Sequence, residues 1–507
     1  MALFCRGTTD YRGCAVSANR IEVRADDLPA ACLRMLQDGG RMQMAYAFFP
    51  EPDLVELRYV ADRGHGHAFD VWQVRPQGAA PSLAEISPLL GWYEREMTEL
   101  CGVTFHGHPE PYPLVLHEGA APIAPPLSPR YPAGESMPFS PQPRRLPAVS
   151  GEGVQQLPFG PVRADVQESA QFTFMYIGEG ILHYDARLFF KHRGMEKRFE
   201  GVSPDLGSLL AERISGVGSV AHTLAFCQAV EATSGCEPPP RARWLRVVLA
   251  ELERLYNHLH YLGYLCHTTT LKVGEAEGRL VEEYVKQMNA RLTGSRFLRG
   301  LLVPGGLRRD LAPEWLSDAL TDLSRKIRDY TDRLLATNSH LDRLITTGVL
   351  PRQTAFDQGA TGPVERASGL DRDLRRDHPY AAYADLPVTV PTRKDGDAQA
   401  RMEVRIDEIA IALTLIQRAL LLLPEGPVRA ECVPGTGSEA LGWSESPRGS
   451  VFYGVHIGGD GALARVKIKS PSFSNWRVFP YTVHDTNMMD YAINEASFGL
   501  TVAGCDR

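Results

Sequence analysis

Between Leu245 and Leu262, leucine recurs at intervals of three and four: Leu245, Leu249, Leu252, Leu255, Leu259 and Leu262. That spacing draws one apolar stripe down a helix, so the chain should be helical from Arg241 to about Leu265, just after the proline run Pro238 to Pro240. Glu251, Arg254 and His258 lie off the stripe. Similar patterns predict helices over Ser87 to Met97, Glu275 to about Leu292, Pro313 to about Ile345 and Arg405 to Leu423. Period-two alternation predicts strands over Val55 to Val60 and Phe69 to Val74. Phe172 to Tyr184 reads as a hairpin around Gly178 and Gly180. The stretches Gly449 to Ile457 and Ala462 to Lys469 read as a second hairpin, broken at Gly458 to Gly461, set against the helices.

These elements fall into two groups. Strands and a helix occupy residues 1–113, and hairpins with long helices occupy 151–507. Between them, eleven prolines from Pro111 to Pro147 forbid a helix or central strand, which makes 114–150 an extended linker. The expected class is α+β and multidomain: a small α/β unit, then a mainly helical bundle with peripheral hairpins. A length of 507 residues agrees with more than one domain. The two units are expected to pack independently, the linker crawling over a partner's surface.

Composition removes several functions. A net charge of −7, with no dense basic run, argues against nucleic acid as a partner. Nine cysteines without C-x-x-C spacing argue against a disulfide framework or zinc site and suit a reducing cytoplasm. His65-Gly-His67 and His106-Gly-His108 are short pairs without further ligands at fixed spacing. Ile406 to Leu423, the most apolar stretch, is too short and too polar to span a bilayer. The first residues lack a basic stretch leading into an apolar core, so no secretory signal is read there.

Ordered motifs then narrow the class. Trp92-Tyr-Glu-Arg-Glu96 followed by Gly102 to Pro109 resembles the signature of the complex I 30-kDa-type subunit. From Leu157 onward the chain resembles the family that joins energy-converting, formate-hydrogenlyase-type nickel–iron hydrogenase large subunits to complex I 49-kDa subunits. The carriers are His192 to Lys197, Leu249 to Arg254, Val303 to Gly306, Ala400 to Arg405, Glu445 to Gly449 and Pro471 to Trp476. In the hydrogenases of that family, two segments read E-R-x-C-G-x-C-x-x-x-H and D-P-C-x-x-C-x-D/E-R. Here the matching segments are Glu212 to His222 and Phe498 to Arg507, and the four thiolate positions fall on Ser215, Gly218, Thr501 and Gly504. A nickel–iron centre needs soft thiolate ligands, so the resemblance implies a frame kept without its metal.

The same resemblance marks the other candidates. Glu196 falls where hydrogenases place a proton-relaying glutamate; a bridge to Arg193 or Arg213 is the structural alternative. His222 is read either as a relay partner or as a hydrogen-bonded core residue. Arg213, Gly216, Cys505, Asp506 and Arg507 complete the vestigial pocket, with Asp506 or Arg507 tying the last segment to the first. Cys505 is a single thiol off the ligand positions. Two loop histidines of the hydrogenase pattern fall on Arg163 and Gln171, and the quinone-contacting tyrosine of complex I falls on Gly216.

The resemblance therefore implies a large subunit of a membrane-associated, hydrogenase-related redox complex, peripheral on the cytoplasmic face, with a structural and coupling role. It implies no cofactor on this chain and an iron–sulfur cluster on an adjacent subunit of the complex I 20-kDa type. A ferredoxin-like iron–sulfur subunit and membrane-arm subunits are the further expected partners. The alternative is a quinone-reducing subunit of an NADH dehydrogenase-like complex, using the vacated cavity with Arg163 or Gln171 as headgroup donors. A true hydrogenase and a free cytosolic scaffold are the remaining readings.

Overall fold

A computed structural model describes residues 18–507 except 133, 143–145, 148, 164–167 and 485. The first unit is a four-stranded sheet in the spatial order Asn19–Glu22, Asp70–Val74, Leu54–Asp62, Arg41–Glu51. The outer strand Asn19–Glu22 runs parallel to Asp70–Val74, and the other pairs are antiparallel. Two helices accompany the sheet, Leu28–Gln37 and Gly91–Cys101. The second stops at Gly102, whose φ of 76° places it in the left-handed region that a helix end favours.

The proline-rich stretch follows the chain's own surface. The amides of Val115 and Leu116 donate to Glu99 at 2.8 and 3.0 Å, and Arg187 of the second unit donates to the carbonyls of Leu114 and Leu116 at 2.6 and 2.8 Å. Without these contacts its carbonyls would face only water. It is a strap across both units.

A three-stranded antiparallel sheet follows, Gln155–Phe159, Gln171–Ile177 and Gly180–Arg187. The helical bundle comprises Ser219–Ser234, Pro240–Thr268, Lys272–Thr293, Leu316–Leu335 and Ala398–Leu421. Pro240–Thr268 is the central helix, and all six stripe leucines are buried. So are Glu251, Arg254 and His258 on its other faces, because neighbouring elements supply them with ionic partners. The helix expected over Pro313 to Ile345 is two, Leu316–Leu335 and Asn338–Leu344. They part at Thr337, which begins the Thr-Asn-Ser run whose side chains compete for backbone hydrogen bonds. Ala398–Leu421 starts earlier than its periodicity indicated because Asp397 caps it, accepting from the Ala400 amide at 2.8 Å.

The closing hairpin is part of a three-stranded sheet, Glu439–Ser446, Gly449–Ile457 and Leu463–Lys469. Its first strand, rich in Gly and Ser, gives no period-two signal. It packs on the helix Ser219–Ser234, and a Cβ on Gly442 would stand 2.1 Å from the Ala225 carbonyl oxygen. Gly442→Ala is therefore expected to destabilise the chain by about 1–3 kcal/mol through overpacking, read as a lowered urea midpoint. An unchanged midpoint would show that the strand is free to shift.

The expectation of independently packed units does not hold. One hydrophobic core runs from Leu28 through the bundle to Cys505. Phe69 stacks on His378 and meets Trp443 and Phe452 edge-on, and a Cβ on Gly454 would come within 2.6 Å of the Tyr46 hydroxyl. Most of the first sheet's inner strands are buried on both faces, where the closing sheet packs against them, while the outer strand Asn19–Glu22 stays largely exposed.

Candidate functional site

A cavity of about 360 Å³ opens where three parts of the second unit meet. The central helix contributes Asn257, His258 and Tyr261, with His260 and Tyr264 at the exposed edge. The loop ahead of the Ser219 helix contributes Ser215, Gly216 and Val217, and the last segment contributes Gly499 to Ala503. Arg163, Glu168, Lys191, Arg405, Arg448 and Glu495 supply the charges, and Trp476 an aromatic wall.

Buried arginines hold this geometry. Arg401 and Arg405 sit one turn apart on the Ala398–Leu421 helix. Arg401 donates to the carbonyls of Thr347, Gly348 and Gly396 and to Ser497; Arg405 donates to those of Arg401, Ser497 and Phe498. Burial pushes the Arg401 guanidinium down to about 9, because the desolvation cost exceeds what its surroundings return. The chain then turns at Gly499, with φ 66°, and a Cβ there would sit 3.2 Å from the Tyr261 ring. Arg448 donates from Nε to the Gly499 carbonyl at 2.7 Å and from Nη1 to Asn257 Oδ1 at 2.5 Å. Arg193 joins the two segments directly, donating to the carbonyls of Arg213 and Ile214 at 2.7 Å each and of Ala503 at 3.1 Å.

Comparison with known proteins agrees with this architecture. The family "Respiratory-chain NADH dehydrogenase, 30 Kd subunit" matches residues 21–136, the corresponding 49 Kd subunit family matches 281–436 and 432–507, and "Nickel-dependent hydrogenase" matches 193–276. Formate hydrogenlyase subunit 5 of Escherichia coli K12 is 32% identical over 424 residues, 81% of this chain and 74% of the relative. The chain belongs to that family. It carries a 30-kDa-type domain ahead of a domain shared by complex I 49-kDa subunits and nickel-dependent hydrogenases. Hydrogenase-4 component G of Escherichia coli K12 is 31% identical over 425 residues, 81% of this chain and 72% of the relative. Among solved structures, a chain of the archaeal membrane-bound sulfane sulfur reductase superposes with a TM-score of 0.66 at 26% identity, covering 70% of this chain and 99% of that one.

The residues present do not suit the metal centre of the family's hydrogenases. No sulfur-bearing side chain lines the cavity among the described residues. A Cβ on Gly218 would lie 3.7 Å from that of Ser215, and one on Gly504 would lie 2.5 Å from Thr501 Oγ1. Each pair thus converges, but on hydroxyls and hydrogens where soft thiolates would be needed. Cys505 is fully buried outside the cavity lining, and burial pushes its thiol well above the usual range. Nor is any group of three His, Cys, Asp or Glu side chains placed to hold a metal elsewhere among the described residues. His108 binds the Gly91 carbonyl, and His65 is exposed beside Asp377.

The cavity brings Arg163, Ser215, Gly216 and Thr501 together; Arg213, Gly218, Gly504, Cys505, Asp506 and Arg507 lie outside its lining. It leaves out the two relay candidates. Glu196 is enclosed by Arg465 at 2.8 Å, Lys467 at 3.1 Å and Arg507 at 3.1 Å, and also accepts from the Ile468 amide. These three cations outweigh its desolvation and hold the carboxyl well below the usual carboxylate range. The surroundings of Glu196 are those of a structural counter-ion. Its partners are not Arg193 or Arg213: the Arg193 guanidinium is turned to the carbonyls of Arg213, Ile214 and Ala503. Arg213 is half exposed and pairs with Glu212. His222 is buried against the Tyr453 hydroxyl at 3.1 Å, and burial pushes it down to about 3, so it stays neutral. Asp506 accepts from the Lys191 amide, and burial raises it to about 7. Gln171 lines a separate cleft beside His117 and Arg187, so of the two loop donors only Arg163 reaches the cavity.

Arg405, Arg448, Asn257 and Tyr261 were missed as site residues. A signal existed for one of them: Arg401 and Arg405 stand at i and i+4 on a helix whose neighbours are apolar, which points inward only if something polar waits there.

Proposed function

We propose that this chain is the large subunit of a membrane-bound, complex I-like redox complex and that it works without nickel, coupling events at a neighbouring cluster to the membrane arm. The observation that carries this reading is the cavity itself. It stands where the two family segments meet, it is framed by buried arginines, and among the described residues its wall offers hydroxyls and guanidinium groups but no thiol. No helix among the described residues is long and apolar enough to cross a membrane, so attachment would run through partners. Those partners would be an iron–sulfur subunit of the complex I 20-kDa type, a ferredoxin-like iron–sulfur subunit and membrane-arm subunits, with the chain on the inner face.

The test is isolation of the intact complex from its native membrane with elemental analysis. Nickel far below one equivalent per chain, with iron and membrane subunits co-purifying, is the expected result. Nickel near one equivalent together with hydrogen uptake would overturn it. A second reading, quinone reduction in the cavity, is favoured by the aromatic wall of Tyr261, Tyr264 and Trp476 beside Arg163. Turnover of a water-soluble quinone by the complex would decide for it.

A further inference from the structure

Among the described residues, the cavity's wall carries more positive side chains than carboxylates. Four Lys and Arg side chains line it. Arg163 is clamped by Glu495 at 3.1 and 3.0 Å, and Lys191 reaches Glu168 at 3.4 Å. Arg405 and Arg448 have no carboxylate partner among the described residues; their hydrogens go to carbonyls and to Asn257. Nearby carboxylates are engaged elsewhere. Glu253 accepts from the amides of Val220 and Ala221, and Glu408 is held by Arg254, Arg366 and His258. Buried guanidinium charge without a counter-charge is costly, and two such groups repel each other.

Arg448 is the one with an open side. It sits in the turn between two strands of the closing sheet, deep in the molecule yet partly exposed to the cavity. Nε and Nη1 are occupied, whereas Nη2 has no partner among the described residues. A guanidinium with one free edge is shaped for a carboxylate or other planar oxyanion. The rest of the wall narrows the choice. Tyr261, Trp476, Val217 and Leu500 are apolar or aromatic, and about 360 Å³ is more than an inorganic ion fills.

We propose that the cavity binds a small organic carboxylate, its charged end on Arg448 and its carbon skeleton against Tyr261 and Trp476. This rests on the reading that the cavity, and not a metal centre, is the working site. The two fail separately, because nickel content is measured without the ligand and ligand binding without the metal assay.

Benzoate is a suitable probe, used on the intact complex. Phenylglyoxal modification of arginines, mapped by mass spectrometry, needs no variant: saturating benzoate should slow modification of Arg448 by about tenfold or more, the loss expected when a charge-assisted contact is blocked. Potassium chloride at equal ionic strength should leave the rate unchanged. Arg448→Gln should weaken benzoate binding by calorimetry about tenfold or more, with Arg448→Lys in between because it keeps the charge and loses the fork. The proposal is overturned if benzoate leaves Arg448 modification unchanged, or slows it no more than chloride does. Protection by a neutral quinone analogue where benzoate gives none would overturn it too.

Discussion

Glu408→Gln is expected to destabilise the chain by about 3–5 kcal/mol, the cost of breaking a buried ion pair from one side. Glu408 lies fully buried on the Ala398–Leu421 helix. It accepts from Arg366 at 3.0 and 2.6 Å, from Arg254 at 3.3 Å and pairs with His258 at 2.8 Å. Arg366 continues to Glu445 at 3.1 Å, and Arg375 joins Asp373 at 2.7 Å to Glu251 at 3.1 Å. Glutamine keeps the volume but removes the charge that Arg254 and Arg366 share. Urea denaturation of the purified chain measures the loss, and an unchanged midpoint would refute this account.

The same network sets an acid limit. Arg366 is foremost among the charges that hold the Glu408 carboxyl far below its unfolded value, so its stabilisation is complete above about pH 4.5 and is lost as pH falls below it. Burial lowers His258 to about 4, His340 to about 4 and His222 to about 3. Unfolded histidines take up protons near pH 6.5, so these three make the folded state lose ground as pH falls from about 6.5 towards 4. Asp506, Glu94, Glu253 and Glu445, which burial raises to about 7, bind protons in the folded state over the same range and oppose the histidines. The net loss of stability on acidification is therefore expected chiefly below about pH 4.5, where the carboxylate ion pairs are lost.

Glu196→Gln is expected to cost a similar 3–5 kcal/mol, because among the described residues it leaves Lys467 and Arg507 with Glu96 and Arg465 with no carboxylate contact. Glu96 takes Lys467 at 2.6 Å and Arg507 at 3.0 Å, which makes it a bond between the first unit and the last residues. Loosening this cluster should expose residues 499–507 to limited proteolysis and disturb the cavity wall they build. The prediction separates the structural role from a relay. A lower denaturation midpoint with faster cleavage supports the ion cluster. Full stability with an altered pH profile of turnover in the complex would return Glu196 to proton transfer.

Helices and hairpins were largely legible because their periodicity is a local record of which side faces the core. The stripe of the central helix, the strands at Val55 and Phe69 and the hairpin at Gly178 needed no knowledge of what they pack against. Ordered motifs also placed Ser215 and Thr501 on one site. The strand Glu439–Ser446 was invisible, since its pairing to the next strand and its glycine contact with a helix outweigh a weak intrinsic preference.

Charged residues divide the two kinds of knowledge most sharply. The chain alone determines that Glu196, Glu251, Arg254, Arg401 and Arg448 exist in family motifs, and that four thiolate positions hold Ser, Gly, Thr and Gly. Only the tertiary structure decides their partners, because an ion pair depends on distance in space. Glu96 and Arg507 are 411 positions apart and share a 3.0 Å contact. For the same reason Glu196 became a counter-ion, Gln171 turned to another cleft, and Arg448, unassigned in sequence, came to face the cavity. Burial converts each such choice from nearly free in water to several kcal/mol.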